Sequence, residues 1–167
     1  MQAPSPTSGV LVSLFENSEY EYRDTFFVFF DPENRPSSDK VEACIAELGS
    51  KYEMENAKSD DGDFESITVK SPYDFSAMDI AYVEGEEVTG QVQELMEEFK
   101  TMTLVGDDHK KLGKFKNASA RFDIYHFEQV KGESQDFLDP GGLLIVLEKL
   151  TDLCDGVGLD PQSHTLM

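Results

Sequence analysis

The chain has 167 residues, which fits a single domain, and its 39% of hydrophobic residues suffice for a core. It carries 34 Asp and Glu against 14 Lys and Arg, a formal net charge of −20. Such a charge repels phosphate backbones and anionic lipid, so we expect no nucleic-acid and no membrane partner.

The two cysteines, Cys44 and Cys154, do not form a disulfide framework. Each lies among apolar residues with helical spacing, so we expect two buried free thiols. The first residues lack the basic start and apolar core of a signal peptide, and apolar runs such as Phe26 to Phe30 are too short to span a bilayer. These features favour a reduced, cytoplasmic setting.

Residues 1–9 are rich in Pro and Ser, which predicts a disordered tail, and residues 10–167 are predicted to form one α+β domain. Val10 to Phe15 fits a short strand or a helical turn. Thr25 to Phe30 is apolar at odd and even positions alike, which predicts a central strand covered on both faces.

A helix is predicted over residues 39–48, where Val41, Cys44, Ile45 and Leu48 share one face. Ser38 or Asp39 is the expected N-cap, and Gly49 the expected stop. Residues 51–57 and 64–70 predict a hairpin, because Asp61-Gly62 between them is a strong turn signal.

Residues 73–83 fit either a strand or the start of a second helix, which a stripe of apolar residues predicts over 87–101. A long loop is predicted over 103–118. Ala120 to Glu128 predicts a strand whose apolar phase changes between Ile124 and Tyr125, so a bulge is expected there, or coverage of both faces.

A third helix is predicted over residues 141–153, with Asp139 as cap and Pro140 in its first turn. The tail after it fits a short closing strand or a loose end. The order is therefore β-α-β-β-α-β plus an extra C-terminal helix. It predicts a ferredoxin-like antiparallel sheet with helices on one face and the first and third strands at its centre.

The densest carboxylate cluster is Asp60 to Glu65. A calcium loop of the EF-hand type has Gly at its sixth and Glu at its twelfth position, and this segment has neither. We therefore interpret the cluster as a solvated hairpin turn.

Asp107, Asp108 and His109 lie together in the predicted loop, and both residue types can bind an ion or transfer a proton. With the adjoining basic pair and one histidine on the next strand, they form our set of candidate binding residues: Asp107, Asp108, His109, Lys110, Lys111 and His126. His126 also fits a hydrogen-bonded structural histidine. No metal-ligand spacing, nucleophile elbow or phosphate loop is present, so we expect no catalytic residue, metal or cofactor.

Five basic residues are concentrated at Lys110, Lys111, Lys114, Lys116 and Arg121. They could bind an anion or an acidic face of another copy. The interpretation that we favour is that they balance carboxylates of the same molecule.

These observations predict a non-enzymatic acidic domain that binds a protein or has a regulatory role. The acidic surface favours a basic partner, and a homo-oligomer is compatible with the sequence. The alternative is a small-molecule or metal-binding domain, or a weak enzyme, with its site near the 103–118 loop. A pocket lined by His109, His126 and several carboxylates would favour the alternative, whereas a flat surface with an exposed strand edge or an apolar patch would favour protein binding.

Overall fold

The computed structural model describes residues 14–130 and 141–167 of the chain. These residues form an α+β fold with a seven-stranded antiparallel sheet. The predicted tail over residues 1–9, most of the Val10 to Phe15 stretch and the Asp139–Pro140 helix start lie outside the described residues.

The chain forms seven strands and four α-helices within the described residues. Their bounds are β1 (Tyr20–Phe30), α1 (Ser38–Ala46), β2 (Glu53–Asp60), β3 (Asp63–Ser71), β4 (Ser76–Glu84), α2 (Glu86–Phe99), α3 (Asp108–Phe115), β5 (Ala120–Gln129), α4 (Gly141–Leu153), β6 (Val157–Asp160) and β7 (Thr165–Leu166).

The strands are arranged in the order β2-β3-β4-β5-β1-β6-β7. The predicted central position of Thr25 to Phe30 is confirmed, because β1 pairs with β5 on one side and β6 on the other. The ferredoxin-like topology is not confirmed, since both the number and the order of strands differ. The reason is the 73–83 segment, which forms β4 and extends the hairpin into a meander that reaches β5.

Helices cover both faces of the sheet, so the prediction of helices on one face was wrong. Alternate residues of β1 face opposite ways. Phe26, Val28 and Phe30 pack in the cluster that contains residues of α1 and α4. Phe27 and Phe29 pack with α2 and α3 in the second cluster.

The predicted 103–118 loop contains a helix, α3. Its apolar residues Leu112 and Phe115 pack on the second cluster, and the Phe115 ring lies 4.8 Å from the Phe29 ring and 5.7 Å from the Phe99 ring. Tertiary packing therefore stabilises a short helix whose charged sequence looks like a loop.

Several local predictions also differ in detail. The N-cap of α1 is Ser37, whose hydroxyl accepts a hydrogen bond from the Lys40 N–H at 3.2 Å. Strand β5 is buried on both faces, which is the second of the two alternatives, and its register is continuous at Ile124 and Tyr125; the bulge in this strand pair lies in β1, at Arg23. The turn at Asp61-Gly62 is as predicted, with positive φ at both residues, and the tail forms β6 and β7.

Candidate functional site

A cleft of about 570 Å³ lies between α3 and α4. Helix α3 packs on one face of the sheet and α4 on the other, and both contact β6. The lining residues are Asp107, Lys110, Lys111 and Lys114 beside or within α3, Leu144, Leu147, Glu148, Thr151 and Asp152 on α4, and Gly156 and Met167.

The polar residues of α3 meet in the cleft because of their helical spacing. Asp107, Lys110, Lys111 and Lys114 stand at i, i+3, i+4 and i+7, which places them on one side of the helix. The apolar side, next to them around the helix, carries Leu112 and the buried Phe115, which pack on the second cluster. Burial of the apolar side therefore turns the lysines toward α4.

The α4 wall combines an apolar floor with an acidic rim. Leu147 is buried in the first core cluster, whereas Leu144 is 43% exposed one turn earlier. Glu148 and Asp152 are one turn apart and exposed. This side of α4 thus offers apolar contact and negative charge together.

Gly156 lets the backbone approach the core closely at the end of α4. A Cβ atom at this position would lie 2.5 Å from the Phe29 carbonyl oxygen, a distance that no side chain tolerates. The glycine therefore brings the chain close to β1 before it enters β6.

One ion pair ties α3 to the turn after α4. Lys114 Nζ lies 2.7 Å from Asp155 Oδ1, and this hydrogen bond together with the lysine charge lowers the pKa of Asp155. Lys110, Lys111, Glu148 and Asp152 make no ion pair within 4 Å with any described residue. The cleft therefore has charges of both signs that no ion pair within the described residues neutralises.

Three of the six candidate binding residues line the cleft, namely Asp107, Lys110 and Lys111. Asp108 is turned away, since its Oδ2 accepts a hydrogen bond from the Val105 N–H at 3.0 Å. His109 is exposed on α3 and is not part of the lining.

His126 lies on β5, apart from the cleft lining. It is buried, and its Nδ1 is 3.1 Å from Asp24 Oδ1 on β1. This geometry favours the interpretation of His126 as a hydrogen-bonded structural residue.

A buried polar cluster centred on Arg121 was not predicted. Its guanidinium donates to Asp123, to Gln91 Oε1 at 2.6 Å and to Glu87 Oε2 at 2.8 Å. Burial lowers the pKa of Arg121, but the bonds to Asp123 and Glu87 outweigh it and raise the pKa overall. Burial and the Asp123 carboxylate also raise the pKa of Tyr125 to about 12.

The basic segment therefore divides into two groups. Arg121 and Lys114 balance carboxylates of the same molecule, as the favoured interpretation holds. Lys110 and Lys111 line the cleft and make no ion pair within 4 Å with a described residue, although the Lys110 charge contributes to the lowered pKa of Asp155. Arg121, Asp123 and Tyr125 occupy every second position of β5 and therefore share one face of the strand. This spacing was the available signal for the buried cluster.

Both cysteines are free and buried. Burial raises the pKa of Cys44, and it raises the pKa of Cys154 to about 12. The Cys154 thiol donates a hydrogen bond to the Leu150 carbonyl oxygen at 3.1 Å. Neither environment activates a thiolate.

Within residues 14–130 and 141–167, no group of three or more His, Cys, Asp or Glu side chains is placed to hold a metal ion. In the same part of the chain, no helix combines the length and apolar character needed to cross a membrane. The Asp60–Glu65 cluster forms the exposed β2–β3 turn.

The acidic residues of α4 were missed by the sequence prediction. Glu148, Thr151 and Asp152 are spaced at i, i+3 and i+4, which was a detectable pattern. It indicated a solvated helix face, however, because the position of α3 opposite to it is set only by tertiary packing.

Comparisons with protein-family models, with curated proteins and with solved structures found no match to the chain.

Proposed function

We propose that the protein is a non-enzymatic binding domain whose ligand is a small molecule held in the cleft between α3 and α4. The observation that carries this proposal is the cleft itself, one wall of which is formed by the 103–118 segment, although His109 and His126 do not line it. Its volume of about 570 Å³ is within the range of small-molecule sites, roughly 300–1,000 Å³.

The lining supports binding more than catalysis. Among the described residues, it combines apolar side chains with lysines and carboxylates and includes no His or Cys. Catalysis by a nucleophile needs an adjacent base and an orienting group, and the lining does not provide such a set. Apolar contact and charge are sufficient to hold a ligand.

The anionic fluorophore 8-anilinonaphthalene-1-sulfonate tests the site, because it has an aromatic body and one negative charge. We expect the native protein to bind one molecule with increased fluorescence. Leu144→Asp places a carboxylate on the cleft floor and should weaken binding by about tenfold or more, equivalent to about 1.4 kcal/mol.

Ile145→Asp is the matched control, since Ile145 is the next residue of α4, is 46% exposed and does not line the cleft. Equal binding by both variants would contradict the proposed site. Urea unfolding of both variants would check that they are folded.

A protein partner is the second candidate, which the exposed pair Leu144 and Ile145 favours. The free edge of the sheet favours it less, because β2 is largely exposed and charged and its pairing with β3 shifts register after Glu55. Affinity purification from the native cell with wild-type and Ile145→Asp proteins would test it. A partner lost only with the variant would support this candidate.

A further inference from the structure

The charges that line the cleft are segregated by sign between the two helices. Lys110 and Lys111 belong to α3, and Glu148 and Asp152 belong to α4. Lys114, the third lysine, is already paired with Asp155 outside the facing acidic rim. Asp107 adds one carboxylate at the start of α3, on the same side as the lysines.

Charges of opposite sign normally close a surface groove by forming ion pairs across it. Here no lysine nitrogen of α3 lies within 4 Å of Glu148 or Asp152, so the two rows are separated by the width of the cleft. A ligand with a single charge would neutralise one row and leave the other facing it. A ligand with both charges would neutralise both rows.

The separation of the two rows favours a ligand whose opposite charges are themselves apart. In a free amino acid the carboxylate and the ammonium are attached to the same carbon atom, so they are closer together than the two termini of a peptide. Each added residue of an extended peptide separates the termini by a further 3.3–3.6 Å or so. The apolar floor of Leu144 and Leu147, with Met167, would contact apolar side chains between the termini.

We propose that the ligand of the cleft is a short apolar peptide of two or three residues with both termini free. Lys110 and Lys111 bind its carboxylate, and Glu148 and Asp152 bind its ammonium group. This inference rests on the proposed function, since it names the ligand class of the same cleft.

Isothermal titration calorimetry of the full chain at low ionic strength tests the proposal with three probes: leucyl-leucine, its N-acetylated form and its C-amidated form. We expect leucyl-leucine to bind with one-to-one stoichiometry. Loss of either terminal charge should weaken binding by about tenfold or more, because hydrogen bonds to charged groups are stronger than those between neutral groups.

Paired variants assign each terminus to its wall. In the double variant Glu148→Gln and Asp152→Asn, acetylation should no longer weaken binding, while amidation still should. In the double variant Lys110→Gln and Lys111→Gln, amidation should no longer weaken binding, while acetylation still should. Lys116→Gln and Glu94→Gln are the controls, because both residues are exposed and neither lines the cleft.

Equal affinity of the three probes, or the same response to acetylation in every variant, would overturn the proposal. If leucyl-leucine does not bind but the anionic fluorophore still does, the peptide proposal fails and the proposed function stands. If neither binds, both fail.

Discussion

Arg121 and Asp123 form a buried ion pair on β5, each about 7% exposed at the side chain. Such a pair contributes little net stability, because desolvation offsets much of the attraction between the two charges. Breaking it is different, since removal of Asp123 leaves the buried Arg121 with only the exposed carboxylate of Glu87 as a charged partner. The stability of the domain therefore depends on both members being present.

We expect Asp123→Asn to lower the free energy of unfolding by about 3–5 kcal/mol in urea titrations. Glu87→Gln is the matched control, because it changes another carboxylate on the same guanidinium that is 69% exposed. Glu87→Gln should lower the free energy of unfolding by less than about 1 kcal/mol. Similar losses for the two variants would show that burial is not the deciding factor.

The thiol of Cys154 gives a second prediction at this scale. With a pKa of about 12, only about one thiol in ten thousand is ionised at pH 8, and the side chain has no exposed surface. We expect Ellman's reagent to label Cys154 in the Cys44→Ala variant only as fast as the protein unfolds. Cys44 in Cys154→Ala, which is 8% exposed, should react sooner. Rapid labelling of native Cys154 would contradict the burial.

At the scale of elements, periodicity in the sequence predicted α1, α2, α4 and the strands β1, β2, β3 and β5. It missed α3, because only Leu112 and Phe115 mark its buried side. It also could not decide the nature of the 73–83 segment, since Ile80 and Tyr82 fit both periods.

The strand order and the site needed information that periodicity lacks. The pairing of β1 with β5 and β6 is a choice among distant segments, which no local pattern encodes. The α3 side of the cleft was predicted through Asp107, Lys110 and Lys111. The α4 side was not predicted, because Glu148 and Asp152 become part of a cleft only through the tertiary packing that places α3 opposite them.

Alanine substitutions at two glycines should change the stability of the protein in opposite directions. Gly62 has φ +91° in the β2–β3 turn, whereas Gly90 lies inside α2, and a Cβ would meet no atom within 4 Å at either position. We expect Gly62→Ala to destabilise by about 1–2 kcal/mol, because it forces a side chain into the left-handed region. Gly90→Ala should stabilise by about 1 kcal/mol. The midpoints of urea unfolding measure both effects. If both variants shift the midpoint in the same direction, the explanation from backbone conformation is wrong.

For the whole molecule, the net charge of −20 implies mutual repulsion among surface carboxylates. Added salt screens it, as the Debye length falls from about 10 Å at 0.1 M to about 3 Å at 1 M. The melting temperature should therefore rise with sodium chloride, as calorimetry can measure.

Calcium should stabilise no more than magnesium at equal ionic strength, because the Asp60–Glu65 cluster is an exposed turn. A large stabilisation by micromolar calcium, absent with magnesium, would contradict this interpretation of the cluster. It would make Asp60, Asp61, Asp63 and Glu65 the first ligands to examine.

The position of β1 at the centre of the sheet has a consequence for the order of folding. The strands β2, β3 and β4 are neighbours in sequence and can pair through short turns. The partners of β1 come much later, and the contact between Asp24 and His126 alone joins residues 102 positions apart. Closing so long a loop costs chain entropy before any contact repays it, which slows folding. The apolar run Phe26 to Phe30 thus stays unpaired while the meander forms, and during synthesis it is the segment most open to aggregation.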